Sequence, residues 1–291
     1  MLRPVIRTIT WTMVGGLGLC LSVAAQQARP ASWSQGAYIW DSAALLDPRQ
    51  CEAELSRLER QGIDQLLVGL NSQQVRAGAA TTRALQRALV SAHKRGMRVS
   101  LLLGDPEWIE ERGRPALQHL IQRYRQLAFD GLHLDLELEQ LGWPVPSERI
   151  RQWLATLRAV QTLSPWPLSI SSHPRWFEAR ASTTGQQDQP CLACELSQMS
   201  QRRRLNSITL MLYQRPPERV TERSLAIIKR WPQLNFRIAQ SVESTLPPAQ
   251  SWHGSSALAL QMQVERWRRQ LESSGLGGID WQDWHNYPKE E

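Results

Sequence analysis

The segment FDGLHLDLELEQLGW, residues 129–143, alternates leucine with ionisable side chains. Leucine occupies every second position from 132 to 138, and the positions between and after these leucines carry His133, Asp135, Glu137 and Glu139. An alternation with a period of two predicts a β-strand, because successive side chains of a strand point to opposite faces. On a surface strand the leucines would face the core and the charged groups would face water. The meaning of the pattern therefore depends on the fold around it.

Strand-like and helix-like patterns alternate along the rest of the chain. Eight strand-like segments lie at 36–41, 63–70, 97–104, 131–138, 167–172, 207–213, 235–241 and 277–281. Helical patterns lie between them at 48–61, 80–95, 114–128, 147–162, 195–204, 218–230 and 256–273. Eight such units in about 250 residues predict an α/β fold, a single-domain (β/α)8 TIM barrel over residues 36–291. Only seven residues follow Trp284, so we expect no regular eighth helix. The alternative, an open doubly wound sheet, lacks a glycine-rich phosphate loop after the first strand.

The first 25 residues have the pattern of a secretory signal peptide. Arg3 and Arg7 precede an apolar run that ends in the small-residue site Val23-Ala24-Ala25. An uncleaved membrane anchor is the alternative, but threonine and glycine interrupt the apolar run. We therefore expect residues 1–25 to be removed, residues 26–35 to form a short linker, and the protein to be periplasmic or secreted without stable membrane insertion.

Charge and cysteine content narrow the partners. The formal net charge is +7, and removal of Arg3 and Arg7 with the leader lowers it by two. The chain has no nucleic-acid motif, so we interpret this mild excess of positive charge as belonging to a solvated surface and not to a nucleic-acid binding site. An acidic polymer remains open as a partner. No cofactor motif or clustered metal ligands occur, and we expect a monomer.

Cys191 and Cys194 could form a local disulfide or remain thiols, which leaves Cys51 unpaired.

In a parallel barrel, one face of each strand packs against the helices and the other lines the lumen. The leucines of 131–138 belong against the helices, so His133, Asp135 and Glu137 are expected to point into the lumen. Buried ionisable groups are costly, which indicates chemistry rather than packing. At about 3.3 Å per residue, Glu137 would lie about 6–7 Å above Asp135, at the rim where substrates enter. The neighbouring carboxylate would favour protonated Glu137, which suits a general acid.

Three segments of the chain match motifs of a known enzyme family. The segment DGLHLDLE, residues 130–137, resembles the strand-four signature DGxDxDxE of the family 18 glycoside hydrolases, the chitinase-type barrels, and matches it at Asp130, Gly131, Asp135 and Glu137. The segment LMLYQ resembles their Met-x-Tyr-Asp element through Met211 and Tyr213, and GGIDWQDW resembles their final strand. Only the strand-four segment is specific to that family.

The resemblance implies a substrate-assisted hydrolysis of amino-sugar polymers. Glu137 would protonate the glycosidic oxygen, Asp135 would orient the acetamido group, and Tyr213 would hydrogen-bond the oxazolinium-like species. Two residues depart from the family pattern: His133 replaces the first Asp of the signature, and Gln214 replaces the Asp after Tyr213. A histidine beneath Asp135 is expected to hold that carboxylate ionised.

Two further functions remain open. A retaining glycosidase would use Glu137 as acid/base and Glu243, after strand seven, as nucleophile. Those enzymes place Asn before the strand-four glutamate, however, where this chain has Leu136. A non-catalytic carbohydrate-binding barrel is favoured by the two departures and disfavoured by the presence of Glu137. A metal-dependent deacetylase centred on His173 lacks a His-x-x-x-His pair.

Several residues near predicted strand ends are candidates for substrate binding. Tryptophan rings stack on the apolar faces of sugars, and Trp40 and Trp281 end the first and last strands, which adjoin when a barrel closes. The other candidate contacts are His133, Asp41, His173, Gln214 and Gln240. The sequence does not specify the polymer or its linkage. It also does not specify whether cleavage occurs within a polymer chain or at its end.

Overall fold

A computed structural model describes residues 33–178, 190–201 and 205–289. Eight parallel strands form a closed barrel in chain order: β1 (Ser34–Ile39), β2 (Gln65–Val68), β3 (Arg98–Leu103), β4 (Gly131–Leu134), β5 (Leu168–Ser172), β6 (Leu205–Met211), β7 (Phe236–Ser241) and β8 (Gly278–Gln282). The predicted (β/α)8 fold is confirmed. The leader predicted at 1–25 and most of the linker at 26–35 lie outside the described residues, and β1 begins within the last two positions of that linker.

Helices connect the strands on the outside of the barrel. They are α1 (Ala43–Leu46), α2 (Cys51–Arg60), α3 (Ser72–Arg76), α4 (Ala79–Lys94), α5 (Arg114–Tyr124), α6 (Ser147–Leu163), α7 (Leu192–Gln201), α8 (Pro217–Arg230) and α9 (Ala257–Leu271). Within the described part of the chain, β8 is followed only by a 3₁₀ helix, Trp284–Asn286, as expected from the short C-terminal segment. None of the helices in the described ranges is long and apolar enough to cross a membrane.

The leucines of the 129–143 segment anchor β4 to the helices. All four, Leu132, Leu134, Leu136 and Leu138, are buried in the hydrophobic cluster between strands and helices. The indole N–H of Trp153 in α6 donates to the Leu136 carbonyl at 2.7 Å. The ladder ends earlier than predicted: the Asp135 N–H still donates to the Leu103 carbonyl at 2.9 Å, and a 3₁₀ helix then begins at Leu138. Asp135 and Glu137 therefore lie on the segment that leaves the strand at its C-terminal end.

A buried ion pair occupies the lower lumen. Arg237 of β7 contacts Asp280 of β8 at 2.6 Å (Nη2 to Oδ1), and the Thr209 hydroxyl donates to Asp280 Oδ2 at 3.1 Å. Arg237 also donates to the Ser34 hydroxyl and to main-chain carbonyls, so its guanidinium is well satisfied. A Cβ at Gly36 would approach Asp280 Oδ1 to 2.0 Å, which explains the glycine there. Asp280 is therefore fully buried in the barrel interior.

The cysteines follow the expectation of a local bridge. Cys191 and Cys194 form a disulfide at the start of α7. Cys51 is a buried free thiol in α2.

Replacing Asp280 with Ala should destabilise the fold strongly, because it leaves the 5% exposed Arg237 without its counter-charge. We expect the free energy of unfolding, measured by chemical denaturation, to fall by about 3–5 kcal/mol. Glu272→Ala is the matched control, since it removes the exposed pair with Arg268 and should cost less than about 0.5 kcal/mol. Equal losses in the two variants would contradict a structural role for the buried pair.

Candidate active site

Three strand ends bring four ionisable side chains together at the C-terminal mouth of the barrel. Asp135 and Glu137 leave the end of β4, Tyr213 follows β6, and Glu243 follows β7. Each is partly buried. The charges of Asp135, Glu137 and Glu243 all act on Tyr213, so the four groups lie within electrostatic range of one another. In a parallel barrel this mouth is where active sites form.

Glu137 has the properties of a proton donor. Burial, followed by the negative charge of Asp135, raises its pKa to about 7, while a hydrogen bond from the Gln140 side chain opposes the shift. That bond runs from Gln140 Nε2 to Glu137 Oε1 at 2.6 Å. The carboxyl group is therefore substantially protonated near neutral pH and can donate its proton to a bound molecule.

Asp135 offers an unused hydrogen-bond acceptor. Burial raises the pKa of its carboxyl to about 6; a hydrogen bond from Ser171 lowers it and the charge of Glu243 raises it. Its Oδ1 atom is buried and has no hydrogen-bond partner among the described residues. Buried polar atoms are rarely left unpaired in folded proteins. This oxygen is therefore available to a donor on a bound ligand.

His133 lies deeper in the lumen than a substrate contact requires. It is 1% exposed, and its ring nitrogens hydrogen-bond Ser169, Ser171 and Tyr38 at 2.9–3.0 Å. Burial, with a smaller contribution from Arg237, lowers its pKa to about 4, so the ring is neutral. His133, predicted as a substrate contact, is thus buried below the mouth and occupied by neighbouring hydroxyl groups. It was also expected to hold Asp135 ionised, but burial raises the pKa of Asp135 instead.

Tyr213 and Tyr38 form the inner wall of the site. Tyr213 packs on the inner hydrophobic cluster that includes Tyr38 and Met211. Burial, followed by the neighbouring Tyr38, raises the pKa of Tyr213 well above its ordinary value, so it remains a phenol. Tyr38 was not predicted as a site residue, although its position between apolar residues of the first strand could have indicated it.

Trp40 lies across the ends of β2 and β3, beside the catalytic candidates. A Cβ added at Gly69 would approach Trp40 Cε3 to 3.2 Å, and one at Gly104 would approach Cη2 to 2.8 Å and the Asp135 carbonyl oxygen to 2.9 Å. The two glycines thus make room for the indole. The structure places this candidate next to Asp135, where a ring could stack on a sugar.

A second aromatic group at the rim was not predicted as a unit. Trp143 is 51% exposed, and its ring lies 5.7 Å from that of Trp176 and 4.0 Å from the Arg175 guanidinium. The Trp176 indole N–H donates to Glu139, two residues beyond Glu137. Glu139 therefore orients an aromatic side chain.

Three predicted contacts lie on the outer side of the strands. Trp281 is fully buried in the cluster between strands and helices, because Asp280 takes the inward position beside it. Gln240 is also fully buried, donates to the Leu212 carbonyl and accepts from Trp252 Nε1 at 3.0 Å. Gln214 lines a cavity with Phe177 and residues of α8. These positions differ from the prediction that Trp281, Gln240 and Gln214 meet substrate together with Asp135.

Asp41 and His173 mainly support local turns. Asp41 Oδ1 accepts from the Ala43 N–H at 3.0 Å at the start of α1. His173 Nδ1 accepts from the Arg175 N–H at 3.2 Å, and burial, then the charge of Arg175, lowers the pKa of His173 to about 4. Among the residues that the structure describes, no three metal-ligating side chains converge.

Comparison with known proteins supports the fold. No family model and no curated protein matches the sequence. A chitinase from Chromobacterium violaceum is similar in structure, with a TM-score of 0.53 and 12% identity over 88% of this chain and 95% of its own. An endo-beta-N-acetylglucosaminidase from Cordyceps militaris has a TM-score of 0.49 and 14% identity, covering 91% of this chain and 87% of its own. At 12% identity the likeness to the chitinase shows the (β/α)8 fold alone, and one fold serves many activities.

The raised pKa of Glu137 predicts a pH-dependent stability effect that is independent of any activity. Its folded value of about 7 exceeds the ordinary 4.5, so the folded state loses stability as pH rises through this interval. Glu137→Gln removes that loss. Its melting temperature should exceed that of the unmodified protein near pH 8, and the gain should shrink near pH 5.

The control for this comparison is Glu148→Gln. Glu148 is exposed, and a hydrogen bond from Arg151 lowers its pKa, so its replacement should bring no gain at high pH. A gain for Glu137→Gln that is equal at both pH values would show that its carboxyl is not shifted.

Proposed function

We propose that this protein is a glycoside hydrolase that cleaves oligosaccharides or polysaccharides containing N-acetylated amino sugars. The observation that carries the proposal is the pairing of two different carboxyl groups at the barrel mouth. Glu137 is protonated near neutral pH, whereas Asp135 is a buried acceptor with a free oxygen. A substrate acetamido group offers the N–H that this oxygen lacks.

The chemistry follows from these two groups. Glu137 gives its proton to the glycosidic oxygen as the bond from that oxygen to the anomeric carbon breaks. The sugar whose anomeric carbon is attacked carries the acetamido group. The carbonyl oxygen of that group attacks the anomeric carbon, while the N–H of the same group donates to Asp135 Oδ1. The negative charge of Asp135 stabilises the oxazolinium-like ring. Water then attacks the anomeric carbon, gives a proton to Glu137 and reopens the ring, which restores both groups.

Neighbouring side chains suit the substrate's other parts. The neutral phenol of Tyr213 can donate a hydrogen bond to the acetamido oxygen. Trp40 provides an apolar surface beside Asp135 for one sugar ring, and the exposed Trp143 provides a second at the rim. Two separated aromatic surfaces favour an oligomer over a single sugar. We further propose that the protein acts outside the cytoplasm, as its N-terminal sequence suggests.

A retaining mechanism with Glu243 as nucleophile is the second candidate. The observation in its favour is that the charge of Glu243 raises the pKa of both Asp135 and Glu137. Glu243 is itself held by the hydroxyl of Ser241 at 3.1 Å, and burial raises its pKa. This mechanism leaves the free oxygen of Asp135 without a role, so we place it second.

Variants of the three carboxylates separate these mechanisms. With chromogenic N-acetylglucosamine oligomers as substrate, Glu137→Gln should lower kcat at least about 100-fold while oligosaccharide binding persists. Asp135→Asn should lower kcat comparably, and Glu243→Gln should have a small effect. If Glu243→Gln abolishes activity, and azide restores activity to the smaller Glu243→Ala variant, the retaining mechanism is correct. Binding of oligomers with no turnover by the unmodified protein would instead identify a binding barrel.

The two raised pKa values predict a narrow pH optimum. Asp135 must be ionised, so kcat/KM should fall as pH drops through about 6, and Glu137 must be protonated, so it should fall as pH rises through about 7. The two groups are coupled, and the limbs belong to the pair. A broad plateau that extends well below pH 6 would show that Asp135 keeps an ordinary pKa.

A further inference from the structure

The Asp135 carboxylate is linked to His133 through one hydroxyl. Ser171 Oγ of β5 hydrogen-bonds Asp135, and it lies 2.9 Å from His133 Nε2 and 2.9 Å from the Tyr38 hydroxyl. The Tyr38 hydroxyl in turn lies 3.0 Å from His133 Nε2. Ser171 is therefore the centre of a small, fully buried network below the proposed site.

The proton on the imidazole can be located from its other side. Ser169 Oγ donates to the Leu132 carbonyl at 3.4 Å, so its lone pairs face His133 Nδ1 at 2.9 Å. With Ser169 donating to Leu132, we assign the hydrogen of the neutral ring to Nδ1, which leaves Nε2 as an acceptor. His133 Nε2 thus accepts without bringing a hydrogen of its own, whereas the hydroxyl groups of Ser171 and Tyr38 each bring one that needs an acceptor.

We propose that His133 is a positioning residue that acts on Asp135 through Ser171, and that its Nε2 acceptor allows Ser171 to hold Asp135 in either protonation state. This inference rests on the proposed function for its catalytic meaning, although the network itself can be tested without activity.

The two hydrogen-bond arrangements differ only in hydroxyl orientation. When Asp135 is ionised, Ser171 donates to it and Tyr38 donates to His133 Nε2. When Asp135 is protonated, its hydroxyl donates to Ser171 Oγ, Ser171 donates to Nε2, and Tyr38 donates to Ser171 Oγ. Every donor has an acceptor in both states, and no charge moves into the lumen. Without Nε2, the second arrangement forces Ser171 to donate to Tyr38, and the Tyr38 hydroxyl must turn away to its other partner, the Thr209 hydroxyl, which already donates to Asp280. The protonated form of Asp135 is then held less well than when Nε2 is present.

Other charged groups surround this network. Glu243 after β7 and Glu137 after β4 act on the carboxyl group from above. Asp280 of β8 and Arg237 of β7 act on His133 from below, with opposite signs. Tyr213 completes the wall above β6. These groups are unchanged in the variants below, so a difference between those variants reports on the network.

The test uses two single substitutions that should shift Asp135 in opposite directions. Ser171→Ala removes the donor to the ionised carboxylate, so the pKa of Asp135 should rise. His133→Leu removes the acceptor needed by the protonated form, so that pKa should fall, by about half a unit or more. Leucine already packs in the inner layer at positions 67 and 102. His133→Gln keeps an acceptor, so the pKa of Asp135 should fall less in this variant than in His133→Leu.

Two readouts distinguish failure of this inference from failure of the proposed function. Carboxyl ¹³C NMR, with the Asp135 signal assigned by Asp135→Asn, measures the titration whether or not the protein hydrolyses sugars. The acidic limb of kcat/KM measures the same shift in an active protein, and kcat should fall in both variants with little change in KM. Shifts of the same sign in Ser171→Ala and His133→Leu, or no shift in either, would overturn the inference. Opposite shifts without any turnover would retain the network and reject the hydrolase.

Discussion

Placing ionisable groups inside a barrel of otherwise apolar construction is the constraint on which this structure depends. The leucines of the β4 segment pack against the helices. Because neighbouring side chains of a strand point to opposite faces, His133 and the carboxylates after it point into the lumen. Each polar group there needs a partner, since an unpaired buried charge costs several kcal/mol. The strands supply these partners in two levels: the Arg237–Asp280 pair below, and hydroxyl groups around His133 above.

The boundary between these levels determines where chemistry can occur. Below it, Arg237 and Asp280 neutralise each other and are saturated with hydrogen bonds, so neither group is free to react and the loss of either would destabilise the fold. At the mouth, the carboxylates have no cationic partner among the described residues, and burial raises their pKa values. A barrel can tolerate carboxyl groups without cationic partners at its rim, because the closed sheet below them already has its hydrogen bonds and its ion pair. Stability and function are therefore carried by different ends of the same strands.

The fold could be predicted from the sequence because it depends on repeated local patterns, whereas the site depends on which face each strand turns inward. The eight strands follow from short apolar segments that alternate with helical patterns. The inward direction of Asp135 and Glu137 follows from period-two alternation and from the requirement that leucine meet the helices. Trp281 was misplaced because a strand end was taken to face the mouth, while Asp280, needed by Arg237, already occupied the inward position. Partners such as Tyr38 and Ser171 come from distant strands, and no local pattern pairs them with Asp135.

His133 occupies a position where the family 18 signature that this segment resembles has an aspartate. A neutral ring in place of a carboxylate removes a negative charge from beneath Asp135, which by itself would make ionisation of Asp135 easier. The structure shows the opposite balance, because burial outweighs that relief and raises the pKa of Asp135 to about 6. What the ring contributes is an acceptor and not a charge. A lumen already occupied by Asp280 gains more from a neutral acceptor than from another acid, and this makes histidine a reasonable occupant of the position.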